Sequence, residues 1–533
     1  MTYPDLHDHV RRLDEAGLLV RVSRPIDKNT ELHPLVRWQF CGGIPPEQRK
    51  AFLFENVVDG QGQEYGIPVL VGALASNRNI YALSMGCELD EVGARWARAI
   101  GEPIEPKLVE DAPCQELVFT GDDLAKNGLD KLPVPISTPG WDNGPYLTSA
   151  HYVTRHPETG VQNSGNYRGQ IKSATCVGMN ASRELNQGIA EHWDIARARR
   201  EPLPCAIVVG APPCVTLTAV QKVPMGIDEM AVAGGLVGEP LNVVRARTVD
   251  VLVPAEAEIV IEGLIDTELL EPEAPFGESH GHVNLQEFNA FMNVTAITRR
   301  RDAIFPSIIS QVTPSESSLI KKLAYEERFL TTLKELGIRG VKRVFLHEPL
   351  TNIRKYVVLV FERGAERTNV WRALYAASSM QNAVGKFTIA VDDDIEPENT
   401  DAILWALAYR MDPRHDMQVL EHRAWGHGPK APYDDEEDAA ILFDATLKRP
   451  YPPISLPKRE YMEHAREIWE ELGLPRLEPQ SPWFGYSLGD WSEEFEAEAV
   501  AATRGEFWET SRKNEARRRG DVPMNTPVSD VQE

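Results

Sequence analysis

The sequence predicts a multidomain α/β (α+β) protein in which a β-rich central region lies between two α/β regions. The chain has 533 residues, which is too long for one small domain. Short β-rich runs separated by Gly- and Pro-rich turns fill its middle part, and strands and helices occur together on either side. These observations define four segments: an N-terminal α/β domain at 1–115, a β-rich domain at 116–310, a C-terminal α/β domain at 311–480 and a charged helical tail at 481–533.

The N-terminal segment combines an amphipathic helix with several short strands. Leucines and a valine recur at helical spacing from residue 6 onwards, which predicts the helix. Apolar runs at 18–22, 51–54 and 68–71 predict strands, and a second helix is expected over 88–100.

The central segment is interrupted by turns more often than its neighbours. Residues 205–209 and 242–244 are predicted strands, whereas 140–145 and 210–213 are rich in Gly and Pro and predict turns. Frequent short strands between such turns favour a compact β-barrel or sandwich over a doubly wound sheet.

The C-terminal segment returns to a regular pattern of strands and helices. Strands are predicted at 344–346, 356–361 and 386–391, and helices at 369–380 and 400–411. Because a strand and a helix follow each other in turn, we expect a parallel or mixed sheet.

The composition excludes several classes of partner. Lys and Arg total 56 against 80 Asp and Glu, which gives a net charge of −24. An acidic surface repels phosphate backbones and anionic lipids, so we expect neither a nucleic-acid nor a membrane partner. No apolar run is long enough to span a bilayer, and the first residues carry no secretory pattern. Six cysteines without a CxxC pair favour free thiols in a cytoplasmic protein.

A polar segment of the central region is the first candidate site. Residues 162–170 place the amide of Asn163 and the guanidinium of Arg168 in a stretch otherwise suited to a strand. The alternative interpretation is a polar hairpin with a solvated arginine.

A second candidate contains two carboxylates five residues apart. Glu273 and Glu278 flank Pro275 and Gly277, which fix an irregular backbone path that could hold a proton donor in place. The alternative is an acidic surface turn. The nearby pair formed by His280 and His282 is a weaker candidate for metal binding, because no further ligand follows at a fixed offset.

A third candidate is the acid pair Asp228 and Glu229, which opens a helix of small residues. Capping of the helix explains Asp228, and binding of a metal is the alternative. The chain has no GxxxxGK[ST], no GxGxxG between a strand and a helix, and no GxSxG. The residues alone therefore indicate an enzyme with a site of carboxylates, amides and an arginine, without giving its reaction.

These motifs together resemble the UbiD-like family of prenylated-FMN-dependent (de)carboxylases, of the aromatic acid decarboxylase type. The resemblance runs from about residue 132 to residue 413 and is weaker before it. It is carried by NxGxYR at 163–168, PPxxxL at 212–217, GxxE at 226–229, ExPFGE at 273–278 and VDDDI at 391–395.

The resemblance implies a central split β-barrel that binds the modified flavin, flanked by N-terminal and C-terminal α/β domains. It also implies a homodimer or a homohexamer, and a flavin prenyltransferase as the supplier of the cofactor. The reaction expected by resemblance is the reversible, non-oxidative decarboxylation of an aromatic or heteroaromatic carboxylic acid.

By the same resemblance, a divalent ion such as manganese binds the flavin phosphate through an Asn, a His and a Glu. The matching positions are Asn163 and Glu229, and the position of the family His is occupied by Glu184. A shift of the alignment by one residue brings in Arg183 instead, and His192 is another candidate. Carboxylate and amide oxygens suit a hard cation such as Mg²⁺ or Mn²⁺.

The catalytic trio of the family corresponds to Arg168, Glu273 and Glu278. The resemblance implies that Glu278 supplies the proton that replaces CO2, while Glu273 pairs with Arg168 and Arg168 orients the substrate carboxylate. A planar guanidinium matches a carboxylate, and a desolvated carboxylic acid retains its proton more readily than an exposed one.

Two further positions are expected by resemblance to contact the cofactor. Lys386 matches a lysine near the flavin phosphate, although a surface lysine is the alternative. Gln221 ends the segment that contacts the flavin and a monovalent ion, K or Na, in some relatives. Residues 392–394 are expected to form a solvated acidic loop rather than a second metal site.

Other functions remain open at this stage. The substrate could be an aryl-CoA thioester, although the acidic surface disfavours a polyanionic ligand. The chain could also be a non-catalytic flavin-binding subunit of a carboxylase complex, which would not require the catalytic trio. A flavin oxidoreductase is a third possibility, and it would release no CO2.

Overall fold

The computed structural model of the protein describes residues 3–181, 187–221, 223, 226–273, 275–381, 384–424, 437–449, 452, 455, 457–477, 492–506, 508 and 510–512. The chain forms two compact units. The larger unit comprises Met1–Phe361, Ala365–Ala390 and Asp412–Asp444, and the smaller comprises Glu362–Gly364, Val391–Met411 and Ala445–Glu533.

The described chain contains helices in both units, and the longest of those described is α9, with 20 residues. The helices are α1 Leu6–Glu15, α2 Leu32–Cys41, α3 Arg78–Met85, α4 Val92–Gly101, α5 Gly121–Lys126, α6 Gly188–Arg199, α7 Pro213–Ala219, α8 Glu229–Val237, α9 Glu316–Glu335, α10 Arg367–Ser379, α11 Thr400–Arg410, α12 Pro413–Asp416, α13 Arg459–Glu471 and α14 Glu493–Thr503.

The strands belong to the larger unit, apart from the last two residues of β25. They are β1 Leu19–Val22, β2 Ile26–Asp27, β3 Ala51–Phe54, β4 Val57–Val58, β5 Glu64–Tyr65, β6 Val69–Val71, β7 Lys107–Leu108, β8 Leu117–Thr120, β9 Tyr146–Leu147, β10 His151–Arg155, β11 Gln162–Asn166, β12 Gly169–Ser173, β13 Cys176–Met179, β14 Leu203–Val209, β15 Asn242–Arg245, β16 Leu252–Pro254, β17 Ile259–Ile265, β18 Glu271–Glu273, β19 Phe276–Gly277, β20 Val283–Asn284, β21 Glu287–Arg299, β22 Phe305–Ser307, β23 Val341–Leu346, β24 Tyr356–Phe361, β25 Phe387–Asp392, β26 Met417–Arg423 and β27 Asp438–Asp444.

The N-terminal region packs α1 against a small mixed sheet with the strand order β1-β3-β6-β22. The helix begins at Asp5, whose carboxylate accepts a hydrogen bond of 2.9 Å from the Asp8 backbone N–H. Leu6, Val10 and Leu13 recur at helical spacing and are buried, so they form the apolar face that the sequence predicts.

The central region contains a ten-stranded sheet whose main path is β11-β10-β14-β17-β21-β13-β12-β9, with β18 and β8 also paired to β21. The pairs in this sheet are antiparallel. Strands β14 and β17 are buried along most of their length because they lie in the middle of the sheet. The 13-residue β21 connects the sheet to β18, which carries Glu273.

The expectation of a β-rich central region is confirmed, but the split β-barrel arrangement is not. Within the described strands, the main path starts at β11 and ends at β9, and no ladder joins these two ends. The mixed α/β multidomain class is correct, while the sheet is open among the described residues.

The C-terminal part of the larger unit is a five-stranded mixed sheet with the order β23-β24-β25-β27-β26. Strands β25 and β27 are parallel, whereas β23–β24 and β26–β27 are antiparallel. Helices α9 and α10 cover this sheet through Phe329, Leu333, Ala373 and Leu374, which are buried in one cluster with residues of β23 and β24.

The smaller unit contains a buried ion-pair cluster where the sequence predicts a solvated acidic loop. Arg410 at the end of α11 donates to Asp392 at 3.0 Å and to Asp394 at 2.6 Å. The three side chains are between 2 % and 8 % exposed, so the expectation of a solvated loop is wrong for Asp392 and Asp394, whereas Asp393 is exposed. The arginine compensates the two carboxylates, which gives them a structural role.

Within the part of the chain that the structure describes, none of the helices has both the length and the apolar character required to span a bilayer. All six cysteines are free thiols, as the sequence predicts.

Candidate active site

The sheet of the central region brings the three charged residues of the predicted catalytic trio together. Arg168 lies in the short link between β11 and β12, Glu273 ends β18, and Glu278 directly follows β19. Strand β12 pairs with β13, β13 with β21, and β21 with β18. Side chains more than 100 residues apart in sequence therefore meet at one site.

Arg168 and Glu273 form a bidentate ion pair. The Arg168 Nε donates to Glu273 Oε1 at 3.0 Å, and Nη2 donates to Oε2 at 2.8 Å. Asn180 and Asn289 also donate to Oε2, at 3.3 and 2.9 Å. The Glu273 side chain is only 1 % exposed. Four donors around a buried carboxylate hold it in one position.

Glu278 is bound less tightly. Its Oε1 accepts a hydrogen bond from Arg168 Nη1, and the side chain is 24 % exposed. Burial acts to lower the pKa of Arg168, but the charges of Glu278 and Glu273 outweigh this and raise it. Arg168 also lies over the Phe276 ring, with its guanidinium carbon 5.0 Å from the ring centroid. The arginine is thus a fixed cation, whereas the Glu278 carboxylate can exchange the one side-chain partner that it has among the described residues.

Asp142 holds the backbone in front of Glu278. Its two carboxylate oxygens accept hydrogen bonds from the backbone N–H groups of Gly277 at 2.7 Å and Thr138 at 2.6 Å. Burial raises the pKa of Asp142 to about 6. A Cβ atom at Gly277 would lie 2.2 Å from Thr138 Oγ1, so only glycine allows the two segments to approach this closely.

Arg168 and Glu278 line a small cavity of ≈ 150 Å³. Phe276 forms part of its apolar wall, and Lys321 and Arg354 line it as well. A cavity of about 150 Å³ holds one benzene ring. We refer to this space as the small cavity.

A neighbouring large cavity has a volume of ≈ 510 Å³ and is lined by Asn163, Gln221 and Glu229. Its volume lies within the range of roughly 300–1,000 Å³ that is usual for cofactor sites. The two cavities share wall residues, namely Asn166, Tyr167, Gln187, Val220, Lys321 and Arg354. We refer to this space as the large cavity.

Asn163 occupies a crowded position in the wall of the large cavity. A Cβ atom at Gly188, the first residue of α6, would lie 2.2 Å from Asn163 Oδ1. Asn163 Nδ2 and the neighbouring Ser164 Oγ are buried and have no hydrogen-bond partner among the described residues. Buried polar atoms in proteins nearly always have a partner, so these atoms fit a site that binds a polar group.

Glu229 lies beside Asn163 because its Oε2 accepts a hydrogen bond of 2.8 Å from the Ser164 backbone N–H. Burial raises the pKa of Glu229 to about 8. A buried carboxylate next to an amide offers the hard oxygen donors that Mg²⁺ and Mn²⁺ prefer. The donor set therefore fits a divalent ion.

The third predicted metal ligand, Glu184, lies outside the described residues, as does its alternative Arg183. The other alternative, His192, lines the large cavity. Its Nδ1 lies 2.8 Å from Thr154 Oγ1. Burial lowers the pKa of His192 to about 4, so its ring is neutral at neutral pH, which is the form that binds metals.

Two other predicted groups have contacts outside the catalytic trio. Lys386 Nζ donates to both carboxylate oxygens of Asp438, at 2.8 and 3.0 Å, and lies outside the described lining of both cavities. His280 lines the small cavity and lies close to Asn284, with 3.1 Å between Nε2 and Oδ1. The described residues contain no cluster of three or more His, Cys, Asp or Glu side chains suited to a metal ion.

Sequence reasoning missed Asp142, Lys321 and Arg354. Asp142 lies in a segment that the sequence marks only as a turn, and its partner Gly277 is 135 residues away. Lys321 and Arg354 belong to no motif, because their positions in the cavity walls depend on how α9 and the loop before β24 pack. In the sequence, a helical lysine in a cavity wall cannot be told from an exposed lysine on a helix.

Comparison with protein families gives one consistent result. Three models of the 3-octaprenyl-4-hydroxybenzoate carboxy-lyase (UbiD) family match the chain in order. The N-terminal domain matches residues 10–100, the Rift-related domain matches residues 107–312, and the C-terminal domain matches residues 320–432.

Solved structures of UbiD-class enzymes are similar over most of the chain. HmfF from Pelotomaculum thermopropionicum in complex with FMN is 28% identical, with a TM-score of 0.75, and the match covers 86% of this chain and 99% of that one. An evolved dimeric form of HmfF in complex with prenylated FMN is 29% identical, with a TM-score of 0.72 and coverage of 85% and 97%. Vanillic acid decarboxylase from Sedimentibacter hydroxybenzoicus, in closed form, is 25% identical, with a TM-score of 0.72 and coverage of 88% and 99%.

Proposed function

The chain belongs to the UbiD family, and from this premise we propose that it decarboxylates an aromatic or heteroaromatic carboxylic acid with the help of prenylated FMN. The observation that carries the proposal is the contact of Arg168 with both Glu273 and Glu278 at the wall of a ring-sized cavity. A non-catalytic flavin-binding subunit has no need of this arrangement.

The large cavity is the proposed site of the cofactor. Its volume suits a flavin, and Asn163 and Glu229 would hold a divalent ion, manganese or similar, at the flavin phosphate. We assign the third ligand to Glu184 and a flavin contact to Gln221, with K or Na bound near it. Lys386 would reach the phosphate only by leaving Asp438. When bound, prenylated FMN would supply the electrophilic carbon and the electron sink that the loss of CO2 requires.

Arg168 is the proposed anchor of the substrate carboxylate. Two of its guanidinium nitrogens are bound to Glu273, so the side chain presents Nη1 in a fixed direction. A substrate carboxylate entering the small cavity competes with Glu278 for Nη1, because both are planar anions. Binding of the substrate would thus release Glu278 from the arginine and leave it beside the reacting carbon.

Glu278 is the proposed proton donor. It lines the small cavity and is partly exposed, so it can take up a proton from solvent and transfer it to the ring carbon that loses CO2. Glu273 stays bound to Arg168 and holds it in place, because four donors fix its carboxylate oxygens. At high CO2 the same groups act in reverse, with Glu278 removing the proton from the ring.

The small cavity favours a free aryl acid with a single ring over an aryl-CoA thioester, because its volume is that of one ring. The remaining parts of the proposal follow family membership. They are a cytoplasmic homodimer or homohexamer, and a flavin prenyltransferase that provides the cofactor.

Substitution of Glu278 by Gln tests the proposal. Protein produced together with a flavin prenyltransferase is incubated with single-ring aryl acids in D2O, and trapped CO2 and deuterium in the product are measured. We expect CO2 release and one deuterium on the ring for the wild type. The Glu278→Gln variant should keep its flavin but lose turnover by about a hundredfold or more, since a positioned acid contributes that much.

The matched control is Glu268→Gln, which changes an exposed acid ten residues earlier in the chain and should leave the rate unchanged. Full turnover of Glu278→Gln would contradict its assignment as the acid. Oxidation of a nicotinamide cofactor without any CO2 would contradict the proposed reaction class.

A further inference from the structure

Two cations in the small cavity have no hydrogen-bond or ion-pair partner among the described residues. Lys321 on α9 and Arg354 before β24 both line the cavity and are half-buried. Neither side chain makes a hydrogen bond or an ion pair with the described part of the protein. By contrast, Arg168 in the same cavity is compensated by two carboxylates. The cavity therefore contains an excess of positive charge on the side of Lys321 and Arg354.

The charges of the cavity act on Lys321 directly. Burial and the charge of Arg354 lower the pKa of Lys321, and the charge of Glu278 opposes them, so that its pKa is about 8. Two cations that repel each other in a partly desolvated wall are stabilised when an anion binds between them. The cluster is thus complementary to a ligand that carries negative charge.

The backbone before Arg354 is held in an uncommon conformation. Leu350, Asn352 and Ile353 have φ angles of 61°, 53° and 48°, in the left-handed region that residues other than glycine rarely adopt. The loop is tied to Thr313, which accepts hydrogen bonds from the backbone N–H groups of Leu350 and Asn352. Such conformations persist where the surrounding structure imposes them, frequently at ligand-binding positions.

The flavin phosphate is a less suitable occupant than a substituent of the substrate. Lys321 and Arg354 line both cavities, but they share the small cavity with Arg168 and Glu278, whereas the expected phosphate ligands Asn163 and Glu229 line only the large cavity. A substrate with one carboxylate bound to Arg168 would leave Lys321 and Arg354 without an anion. A second anionic group on the same ring would compensate them.

We propose that Lys321 and Arg354 form a second anion site in the small cavity, which selects aryl acids with two carboxylates on one ring. This inference rests on the proposed function for the identity of the ligand, although it concerns binding rather than turnover. It narrows the substrate class from aryl acids in general to aryl dicarboxylates.

Calorimetry on the flavin-loaded protein tests the inference. The probes are benzoate and benzene-1,3-dicarboxylate, and the variants are Lys321→Met and Arg354→Gln. We expect the wild type to bind the dicarboxylate about tenfold more tightly than benzoate, or better, since a charge-assisted contact is worth at least that much. Each variant should lose this preference while its flavin content and its affinity for benzoate stay within about twofold.

A second readout is the uptake of protons on binding. Binding of the dicarboxylate should raise the pKa of Lys321, so the wild type should take up protons near pH 8, as measured in two buffers of different ionisation enthalpy. Lys321→Met should not take them up. The control Lys334→Met changes an exposed lysine on the same helix and should behave as the wild type.

Equal affinity of the wild type for the two probes would overturn the inference. Loss of flavin in Lys321→Met or Arg354→Gln, with the preference for the dicarboxylate intact, would also overturn it and assign the two cations to the flavin phosphate. If the dicarboxylate is preferred but no acid is decarboxylated, the anion site stands and the proposed reaction fails.

Discussion

At the scale of single residues, Glu273 and Glu278 differ in how firmly their carboxylates are held. Among the described residues, the Glu273 carboxylate receives four hydrogen bonds and is 1 % exposed, whereas the Glu278 carboxylate receives one and is 24 % exposed. A rigid, compensated anion suits electrostatic support, and an exchangeable carboxylate suits proton transfer. Their environments thus give two chemically identical side chains different roles.

Asp142 should determine how activity responds to acid. The carboxylate accepts the Gly277 N–H directly before Glu278, and burial raises its pKa to about 6. Protonation below that pH removes one of its acceptor oxygens and loosens the segment. We expect the kcat of the wild type to fall below about pH 6. Asp142→Asn, which mimics the protonated form, should be slower by ten- to a hundredfold and lack this acid limb.

Ionisation of Asp142 should lower the stability of the fold although it supports activity. The pKa of Asp142 is higher in the folded than in the unfolded protein, so ionisation costs stability as pH rises from about 4 to about 6. The ionised Asp142 carboxylate thus lowers the stability of the fold, but it holds the backbone directly before Glu278 in place. The exposed acid Asp122 provides the control variant Asp122→Asn. An unchanged acid limb in Asp142→Asn, measured as kcat from about pH 5 to pH 8, would contradict this role.

At the scale of elements, the approach of α6 to β11 should control the metal and the flavin. A Cβ atom at Gly188 would lie 2.2 Å from Asn163 Oδ1, so Gly188→Ala must displace the amide. Alanine is a better helix former than glycine, and Gly188 lies in α6, so the melting temperature of the apoprotein should not fall. We expect metal content and flavin content, measured by elemental analysis and absorbance, to fall together by several-fold.

Gly101→Ala is the matched control for this substitution. Gly101 is also helical, at the end of α4, and a Cβ atom there would have no neighbour within 4 Å. It should leave metal and flavin content unchanged. Full occupancy of both in Gly188→Ala would show that Asn163 does not hold the ion.

Most elements with a local signal could be predicted from the sequence. The predicted strand 356–361 coincides with β24, and the predicted helix 400–411 coincides with α11 within one residue. The sequence analysis predicts no strand in the range of β21, although β21 is the longest of the described strands. It pairs with β17, β13, β18 and β8, so tertiary pairing decides its length and its role.

At the scale of the whole molecule, segments far apart in the sequence of a strongly acidic protein form one candidate active site. The motifs around Arg168 and Glu278 could be recognised because their residue types and order are specific. The positions of Lys321 and Arg354 in the cavity wall could not be predicted, because the net charge of −24 says nothing about where single positive charges lie in the fold. The buried contacts of Arg410 with Asp392 and Asp394 could not be predicted either, because the burial of a charged side chain depends on the tertiary fold.

The most direct test of the account is the mass spectrum of the small molecule released from this protein after production together with a flavin prenyltransferase. The account predicts a mass equal to that of prenylated FMN, in amounts that approach one per chain. Unmodified FMN as the only flavin, or no flavin at all, would contradict the assignment of the large cavity to the prenylated cofactor and the decarboxylation that depends on it.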